Sequence, residues 1–317
     1  MALKWIGEWE KLMRRWLLLL AGGVFALMSF GVSLAWENKA PEKARTVFVI
    51  VMENQNWDWI KGSSSAPYIN DTLLKLGAHA EAYTSPLHPS EPNYLWLEAG
   101  TNFGVTNDHD PASNHQASTA HLTHLLDEAG ISWKSYQEGI AGDVCPLVSY
   151  DHYAAKHNPM VFFDDVTGGN DPHSAYCIEH VRPYSELADD LSSGNVARYN
   201  FITPDTCHDM HNLFGCDSLD RIWNGDRWLA QALPPILASD AYQAGGVVFI
   251  TWDEGIGNNP PIGMIVLSPD AKPGYSNTIP YTHSSTLRTL QEIFGVQPFL
   301  GDAANATDLS DLFVTFP

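Results

Sequence analysis

Basic residues are scarce in this chain of 317 residues, because 17 Lys and Arg stand against 37 Asp and Glu and leave a formal net charge of −20. Binding to nucleic acid or to an anionic membrane by charge attraction needs a basic surface, so the composition argues against both partners. A small phosphorylated substrate is compatible with it, because a metal ion can supply positive charge locally. Hydrophobic residues make up 44% of the chain, which is too many for a disordered protein.

The chain has a single long apolar run, Trp16–Ala35, which directly follows Arg14 and Arg15. Small residues, Ser33 and Ala35, occupy the −3 and −1 positions of a cut after Ala35, and this pattern predicts a secretory signal peptide over residues 1–35. An uncleaved membrane anchor is the alternative, since about 20 apolar residues can just span a bilayer. Cleavage would leave no stable anchor and a periplasmic or secreted protein.

Cysteine is rare as well, and the four that are present form no Cys-x-x-Cys pair, which disfavours a zinc site built from cysteines. An even number of cysteines in an exported chain predicts disulfides. We expect the pairs Cys145–Cys177 and Cys207–Cys216, because this pairing joins cysteines that are close in sequence.

Continuous apolar, β-branched runs are typical of strands buried in a parallel sheet. Five segments show this pattern, the second of them weakly: Thr46–Met52, Ile131–Tyr136, Tyr199–Thr203, Gly246–Trp252 and Gly263–Ser268. Helical stretches alternate with them at 117–129, 226–237 and 284–294. The alternation predicts an α/β fold, a three-layer αβα sandwich with a mainly parallel sheet. We expect one domain over 36–317, with an irregular insertion at about 140–195 that is rich in Asp, His, Gly and Pro.

Polar side chains follow three of the predicted strands where each strand ends. Glu53 and Asn54 follow the first strand, Pro204–His211 follows another, and Asp253 with Glu254 follows a third. Ligands of open α/β sheets bind outside the carboxyl ends of the strands. Because like charges repel there unless a cation lies between them, the pattern predicts a divalent metal ion. Oxygen ligands suit Ca²⁺, Mg²⁺ or Mn²⁺, and nearby imidazoles would also admit Zn²⁺.

Ser90 stands directly before a predicted helix, and two interpretations of it remain open. Its hydroxyl can cap the helix. It can also be a nucleophile, because a helix N-terminus favours an incoming phosphate and a nearby metal ion makes a hydroxyl more acidic. The spacing of residues does not decide between the two.

Seven short motifs occur in an order that resembles one enzyme family. They are Val51–Asn54, Pro89–Tyr94, Lys156–Pro159, Pro204–His211, Gly225–Leu229, Thr251–Gly255 and Tyr281–Ser284. Each motif is weak alone. As an ordered set over roughly residues 45–313, they resemble the phosphoesterase family of bacterial acid phosphatases and non-specific phospholipases C, within the alkaline phosphatase-like superfamily.

The resemblance implies an exported, metal-dependent phosphatase of the acid phosphatase type, which hydrolyses phosphomonoesters through a phosphoserine. It implies catalytic roles for Ser90, His208 and His283. It implies substrate binding by His157, Asp205, Asp209 and His211. The metal ligands that it implies are Glu53, Asn54, Asp253 and Glu254.

Two other functions fit the same residues. A phospholipase C or another phosphodiesterase would use the same catalytic core. A non-catalytic exported protein could hold a cation at the same acidic edge, and it would need no nucleophile. Substitution of Ser90 by Ala separates the last possibility from an enzyme.

Overall fold

A computed structural model describes residues 45–211 and 215–316 of the chain. The predicted signal peptide therefore lies outside the described residues. Among the described helices, none is both long enough and apolar enough to cross a lipid bilayer. Both predicted disulfides, Cys145–Cys177 and Cys207–Cys216, are confirmed.

Eight strands of the described chain form one sheet, in the order β5-β4-β6-β1-β7-β8-β2-β9, and β3 pairs with β10 alone. All neighbours in the sheet are parallel except β8, which runs antiparallel to β7 and β2. The bounds are β1 Val47–Met52, β2 Ala78–Ala80, β3 Tyr83–Thr84, β4 Trp133–Gln137, β5 Val181–Pro183, β6 Tyr199–Thr203, β7 Val247–Trp252, β8 Met264–Leu267, β9 Tyr275–Asn277 and β10 Tyr281–Thr282.

The α-helices of the described residues are short, apart from three. In chain order they are α1 Trp57–Ile60, α2 Leu74–Leu76, α3 Ser90–Ala99, α4 Pro111–Asn114, α5 Leu122–Glu128, α6 Asp164–Thr167, α7 Ala175–His180, α8 Leu187–Ser193, α9 Arg221–Ala238, α10 Asp240–Gln243 and α11 His283–Phe294. A π-helical turn covers Ile69–Leu73.

The predicted α/β fold with a mainly parallel sheet is confirmed. The helix bounds differ most from the prediction in two helices. Helix α9 begins at Arg221 rather than at 226, because the Asp220 carboxylate accepts a hydrogen bond from the Trp223 amide and caps the helix earlier. Helix α5 is shorter than predicted and begins after His121. The segment 140–195, predicted to be an irregular insertion, contains the short elements β5, α6, α7 and α8.

Helices lie on both faces of the sheet. The register pairs Val47 with Tyr199, so Tyr199 and the odd-numbered residues of β1 share one face. Tyr199 packs edge-on against Phe294 of α11, which places α11 on that face. Met52 points to the other face, where its Cε atom lies beside Gly225 of α9. These contacts produce the layered αβα arrangement.

Candidate active site

Three parallel strands in the middle of the sheet end side by side. Strand β1 lies between β6 and β7, and its last residue, Met52, is paired with Trp252. Glu53 and Asp253 therefore follow the two strand ends as direct neighbours. The Glu53 amide donates to the Asp209 carbonyl at 2.7 Å, which joins the loop after β6 to the same edge. The strand ends bring together carboxylates from distant parts of the sequence.

Ser90 is the first residue of helix α3, and its hydroxyl contacts this carboxylate cluster. The hydroxyl donates to Glu53 Oε2 at 3.1 Å, and the N-cap position of the helix is occupied by Pro89 rather than by Ser90. Tyr94, one turn later on the same helix, donates its hydroxyl to Glu53 Oε1 at 2.9 Å. Helix α3 thus presents two hydroxyl groups to one buried carboxylate.

Two histidines complete the surroundings of Glu53. His157 Nε2 lies 3.0 Å from Glu53 Oε1, and His211 Nδ1 lies 3.4 Å from Oε2. Burial raises the pKa of the Glu53 carboxyl, but the contacts with these two imidazoles outweigh burial and hold it well below its ordinary value. Burial lowers the pKa of His157, whose ring stacks on Tyr94. Glu53 is therefore a charged group inside the protein.

Asn54 connects the ends of β1 and β7. Its backbone amide donates to Asp253 Oδ1 at 3.0 Å, and its side-chain Nδ2 donates to Glu254 Oε1 at 2.7 Å. The other Glu254 oxygen contacts His88 Nδ1 at 2.7 Å and accepts from Asn93 at 3.3 Å. Asn54 has a positive φ of 23°, a conformation that asparagine tolerates better than most residues. Because Nδ2 is the side-chain atom that donates to Glu254, the side-chain carbonyl oxygen of Asn54 points away from Glu254.

Buried oxygen atoms without hydrogen-bond partners are found at this edge. They include Asn54 Oδ1, Asp253 Oδ2 and Asp209 Oδ2. Burial and then the charge of Glu53 raise the pKa of Asp253 and of Asp209 well above the ordinary value. Buried polar atoms are normally paired, and crowded carboxylates favour a bound cation. The oxygens of Glu53, Asn54 and Asp253 therefore fit a hard divalent metal ion.

His283 lies next to the cluster, but both of its ring nitrogens have protein partners. Nε2 is 2.6 Å from the Asp253 carbonyl oxygen, and Nδ1 is 3.0 Å from the Tyr83 hydroxyl. The side chain is fully buried, and burial lowers its pKa to about 4. The structure therefore places this predicted catalytic residue behind Asp253, where it supports the backbone.

His208 and Asp205 belong to a different cluster. His208 Nδ1 lies 2.9 Å from Glu138 Oε2 and 3.2 Å from Asp205 Oδ1. The hydrogen bond with Glu138 raises the pKa of His208. His208 lines a separate cavity of about 430 Å³ with Tyr184 and Trp228. The loop after β6 thus directs His208 to one cavity and His211 to another.

The cavity at His211 has a volume of about 510 Å³ and is also lined by His157 and Lys156. The Asp209 carboxylate accepts from the His211 backbone amide at 2.7 Å, while its other oxygen lies 3.6 Å from His157 Nδ1, beyond hydrogen-bond distance. Sequence reasoning assigned no role to Tyr94 or Lys156. Both stand inside motifs of the ordered set, which was the signal that could have found them.

Comparisons with known proteins identify the family of this chain. Residues 65–297 match the model of the Phosphoesterase family. The chain is 31% identical over 270 residues to the phosphatidylinositol-3-phosphatase of Mycobacterium tuberculosis, and the match covers 84% of this chain and 82% of that one. It is 30% identical over 291 residues to the probable acid phosphatase of Kluyveromyces lactis. That match covers 84% of this chain and 64% of the yeast protein, so the chain spans less than two thirds of it.

A solved structure has the same fold. A protein in the alkaline phosphatase superfamily from Vibrio parahaemolyticus superposes with a TM-score of 0.58 at 11% identity, covering 84% of this chain and 69% of that one. At this identity the likeness concerns the fold alone. Together with the family match, it confirms the resemblance that the ordered motifs indicated. The chain therefore belongs to the Phosphoesterase family and is a hydrolase that acts on phosphoric ester bonds.

Proposed function

We propose that this protein is an exported, metal-dependent phosphatase of the acid phosphatase type, which hydrolyses phosphomonoesters through a phosphoserine at Ser90. The observation that carries the proposal is the 3.1 Å contact between the Ser90 hydroxyl and Glu53, at the edge where unpaired buried oxygens gather. The two disulfides are consistent with export.

Glu53, Asn54 and Asp253 are the proposed metal ligands. Glu254 is the fourth proposed ligand, and its oxygens also contact Asn54, His88 and Asn93. His283 is assigned to positioning, since its Nε2 contacts the Asp253 carbonyl. When bound, the metal ion supplies positive charge to the phosphate and makes the neighbouring hydroxyl more acidic.

The side chains of the protein position the substrate. Ser90 attacks phosphorus, and its hydroxyl proton lies on the hydrogen bond to Glu53 Oε2. His157 and His211 bind phosphate oxygens, and Asp209 fixes the backbone at His211 by accepting from its amide. His211 is partly exposed in the cavity, where it can donate a proton from a ring nitrogen to the departing alcohol. Water then cleaves the phosphoserine and releases inorganic phosphate.

The names of the relatives support a monoester substrate, since one is a phosphatidylinositol-3-phosphatase and another a probable acid phosphatase. The test is an assay of the purified protein on p-nitrophenyl phosphate, bis(p-nitrophenyl) phosphate and a phospholipid, with and without a chelator. We expect fastest turnover of the monoester, loss of turnover with the chelator, and recovery with added divalent metal. Faster cleavage of the diester or the phospholipid would favour the phosphodiesterase alternative, and turnover that resists chelation would contradict metal dependence.

A further inference from the structure

The cavity of about 510 Å³ at His211 has one strongly basic side chain in its wall. Of the described residues that line it, Lys156 is the only lysine or arginine, and His157 and His211 lie in the same wall. Lys156 stands in a short 3₁₀ turn, Ala155–His157, directly before the histidine that contacts Glu53. Its ammonium group is close enough to Glu53 for its charge to contribute to the lowered pKa of that carboxyl.

Asp108 holds this ammonium group in place. Lys156 Nζ lies 2.8 Å from Asp108 Oδ2, and Asp108 Oδ1 accepts from the Glu91 amide at 3.0 Å. Because Glu91 follows Ser90 in helix α3, Asp108 links Lys156 to the start of the helix that carries the nucleophile. A lysine ammonium has three donors, so it can bind a ligand as well as Asp108. The ion pair fixes the lysine at the cavity without using its full capacity.

The charge of Lys156 is maintained by the acidic site. Burial lowers its pKa, but the nearby charges of Glu53, Asp108 and Asp253 outweigh burial and raise it above the ordinary value. A phosphomonoester above its second pKa of about 6 carries two negative charges, whereas a diester carries one. A fixed cation beside the proposed phosphate-binding residues, His157 and His211, therefore favours binding of the monoester.

We propose that Lys156 is the specificity-determining residue of this site: its ammonium group binds the second anionic oxygen of a phosphomonoester dianion and so selects monoesters over diesters. The inference rests on the proposed function. A lysine that only stabilised the fold through Asp108 would affect both substrates alike. The separation of monoester from diester kinetics is thus the informative measurement.

The experiment compares the wild type with Lys156→Met, Lys156→Arg and a control, Lys272→Met, whose lysine is paired with Asp311 outside the cavity. The measured quantities are kcat and KM for p-nitrophenyl phosphate and bis(p-nitrophenyl) phosphate, and the inhibition constant of inorganic phosphate. For Lys156→Met we expect the monoester KM and the phosphate inhibition constant to rise about 10- to 100-fold. The diester KM should change by no more than about threefold, and Lys156→Arg should keep the preference for monoesters.

An equal loss on both esters, or no change on either, would overturn the role of Lys156 while leaving the phosphatase intact. If the wild type hydrolyses neither ester, the proposed function fails and this inference fails with it. Circular dichroism checks folding, and if Lys156→Met does not fold, Lys156→Gln takes its place with the same expected results.

Discussion

At the scale of single residues, Asp253 carries much of the argument for the proposed cation. Its Oδ1 accepts from the Asn54 amide, while Oδ2 is buried without a partner. Burial raises the pKa of this carboxyl, and the charges of Glu53 and Glu254 raise it further. An aspartate in this environment is stable as an ion only if positive charge is supplied. The Asn54 side-chain oxygen is also buried without a hydrogen-bond partner. Although it is uncharged, a buried oxygen of this kind normally has a donor or a metal ion beside it.

Replacement of Asp253 by Asn is therefore expected to remove the metal ion. The variant keeps the acceptor for the Asn54 amide but lacks the charge, so affinity for a divalent cation should fall on the order of 100-fold or more. The measurement is metal content after dialysis, by atomic emission. Asp58→Asn, at an exposed position, is the matched control. Full metal content in the Asp253 variant would show that the ligands lie elsewhere.

Glu98 is a second buried carboxyl, and its role concerns stability. It accepts from the Thr123 amide at 2.8 Å and from the Tyr199 hydroxyl at 3.4 Å. Burial raises its pKa from the ordinary 4.5 to about 8, and the charge of Asp165 adds to this effect. The folded state keeps the proton up to about pH 8, whereas the unfolded chain loses it near 4.5. Stability therefore falls as pH rises through this window, by up to about 1.4 kcal/mol per pH unit.

The substitution Glu98→Gln should weaken that dependence. Glutamine keeps the acceptor for Thr123 and supplies a donor for Tyr199 without a titrating proton. We expect a melting temperature above that of the wild type at pH 8 and close to it at pH 4.5. Glu128→Gln, on an exposed residue, is the control. If Glu98→Gln and wild type lose stability in parallel between these pH values, Glu98 is not protonated in the folded protein.

Sequence patterns anticipated residues whose position follows from the backbone and missed those whose role depends on side-chain direction. Glu53 and Asp253 follow strand ends, and parallel strands place such residues at one edge. His208 belongs to the same loop as His211, yet it turns toward Glu138 and another cavity. Met210 between them adopts a positive φ of 79°, which no local pattern indicates for methionine. This turn of the backbone decides which histidine reaches the site.

At the scale of elements, the close approach of helix α9 to the sheet depends on Gly225. A Cβ atom at this position would collide with the Met210 side chain and lie 2.9 Å from Met52 Cε. The helix therefore packs directly over the end of β1 and the loop that carries Asp209 and His211. Its glycine is required by packing, although glycine weakens a helix by itself.

The substitution Gly225→Ala tests this packing. In an open helix position it would stabilise the protein by about 1 kcal/mol. Here overpacking should dominate and lower the free energy of unfolding by about 1–2 kcal/mol. Displacement of Met210 should also reduce kcat, because the next residue, His211, is one of the proposed phosphate-binding residues. Urea denaturation and steady-state kinetics measure both effects, with Gln231→Ala on the exposed side of the helix as control. Increased stability with full activity would refute the packing argument.

The longer elements were predictable, and the short ones were not. Strands β1, β6 and β7 are fully buried, so their residues form continuous apolar runs. Helix α11 has the polar residue Thr282 as its N-cap and Gly295, whose φ is 67°, as its C-cap. Strands β3 and β10 have two residues each, which is too few for any periodicity. They form through their mutual pairing, a tertiary contact that local sequence does not encode.

At the scale of the whole molecule, the sheet topology produces the site. Because β1 lies between β6 and β7 with parallel register, residues more than 150 positions apart in the sequence meet at one edge. Helix α3 then delivers Ser90 from one face, and the cavity beside Lys156 opens toward solvent. The alternation of strands and helices predicted this architecture from sequence. The division of the polar loop between two cavities appears only in the folded chain.

The central claim is that Ser90 is the nucleophile beside the cation site, and covalent trapping tests it most directly. The purified protein, loaded with divalent metal, is mixed with p-nitrophenyl phosphate, quenched in acid within one turnover and analysed by peptide mass spectrometry. We predict one phosphoryl group on the peptide that contains Ser90, and none in the Ser90→Ala variant, which should retain its metal. Full turnover by Ser90→Ala, or an acid-stable phosphoryl group on a serine or threonine other than Ser90, would contradict the account.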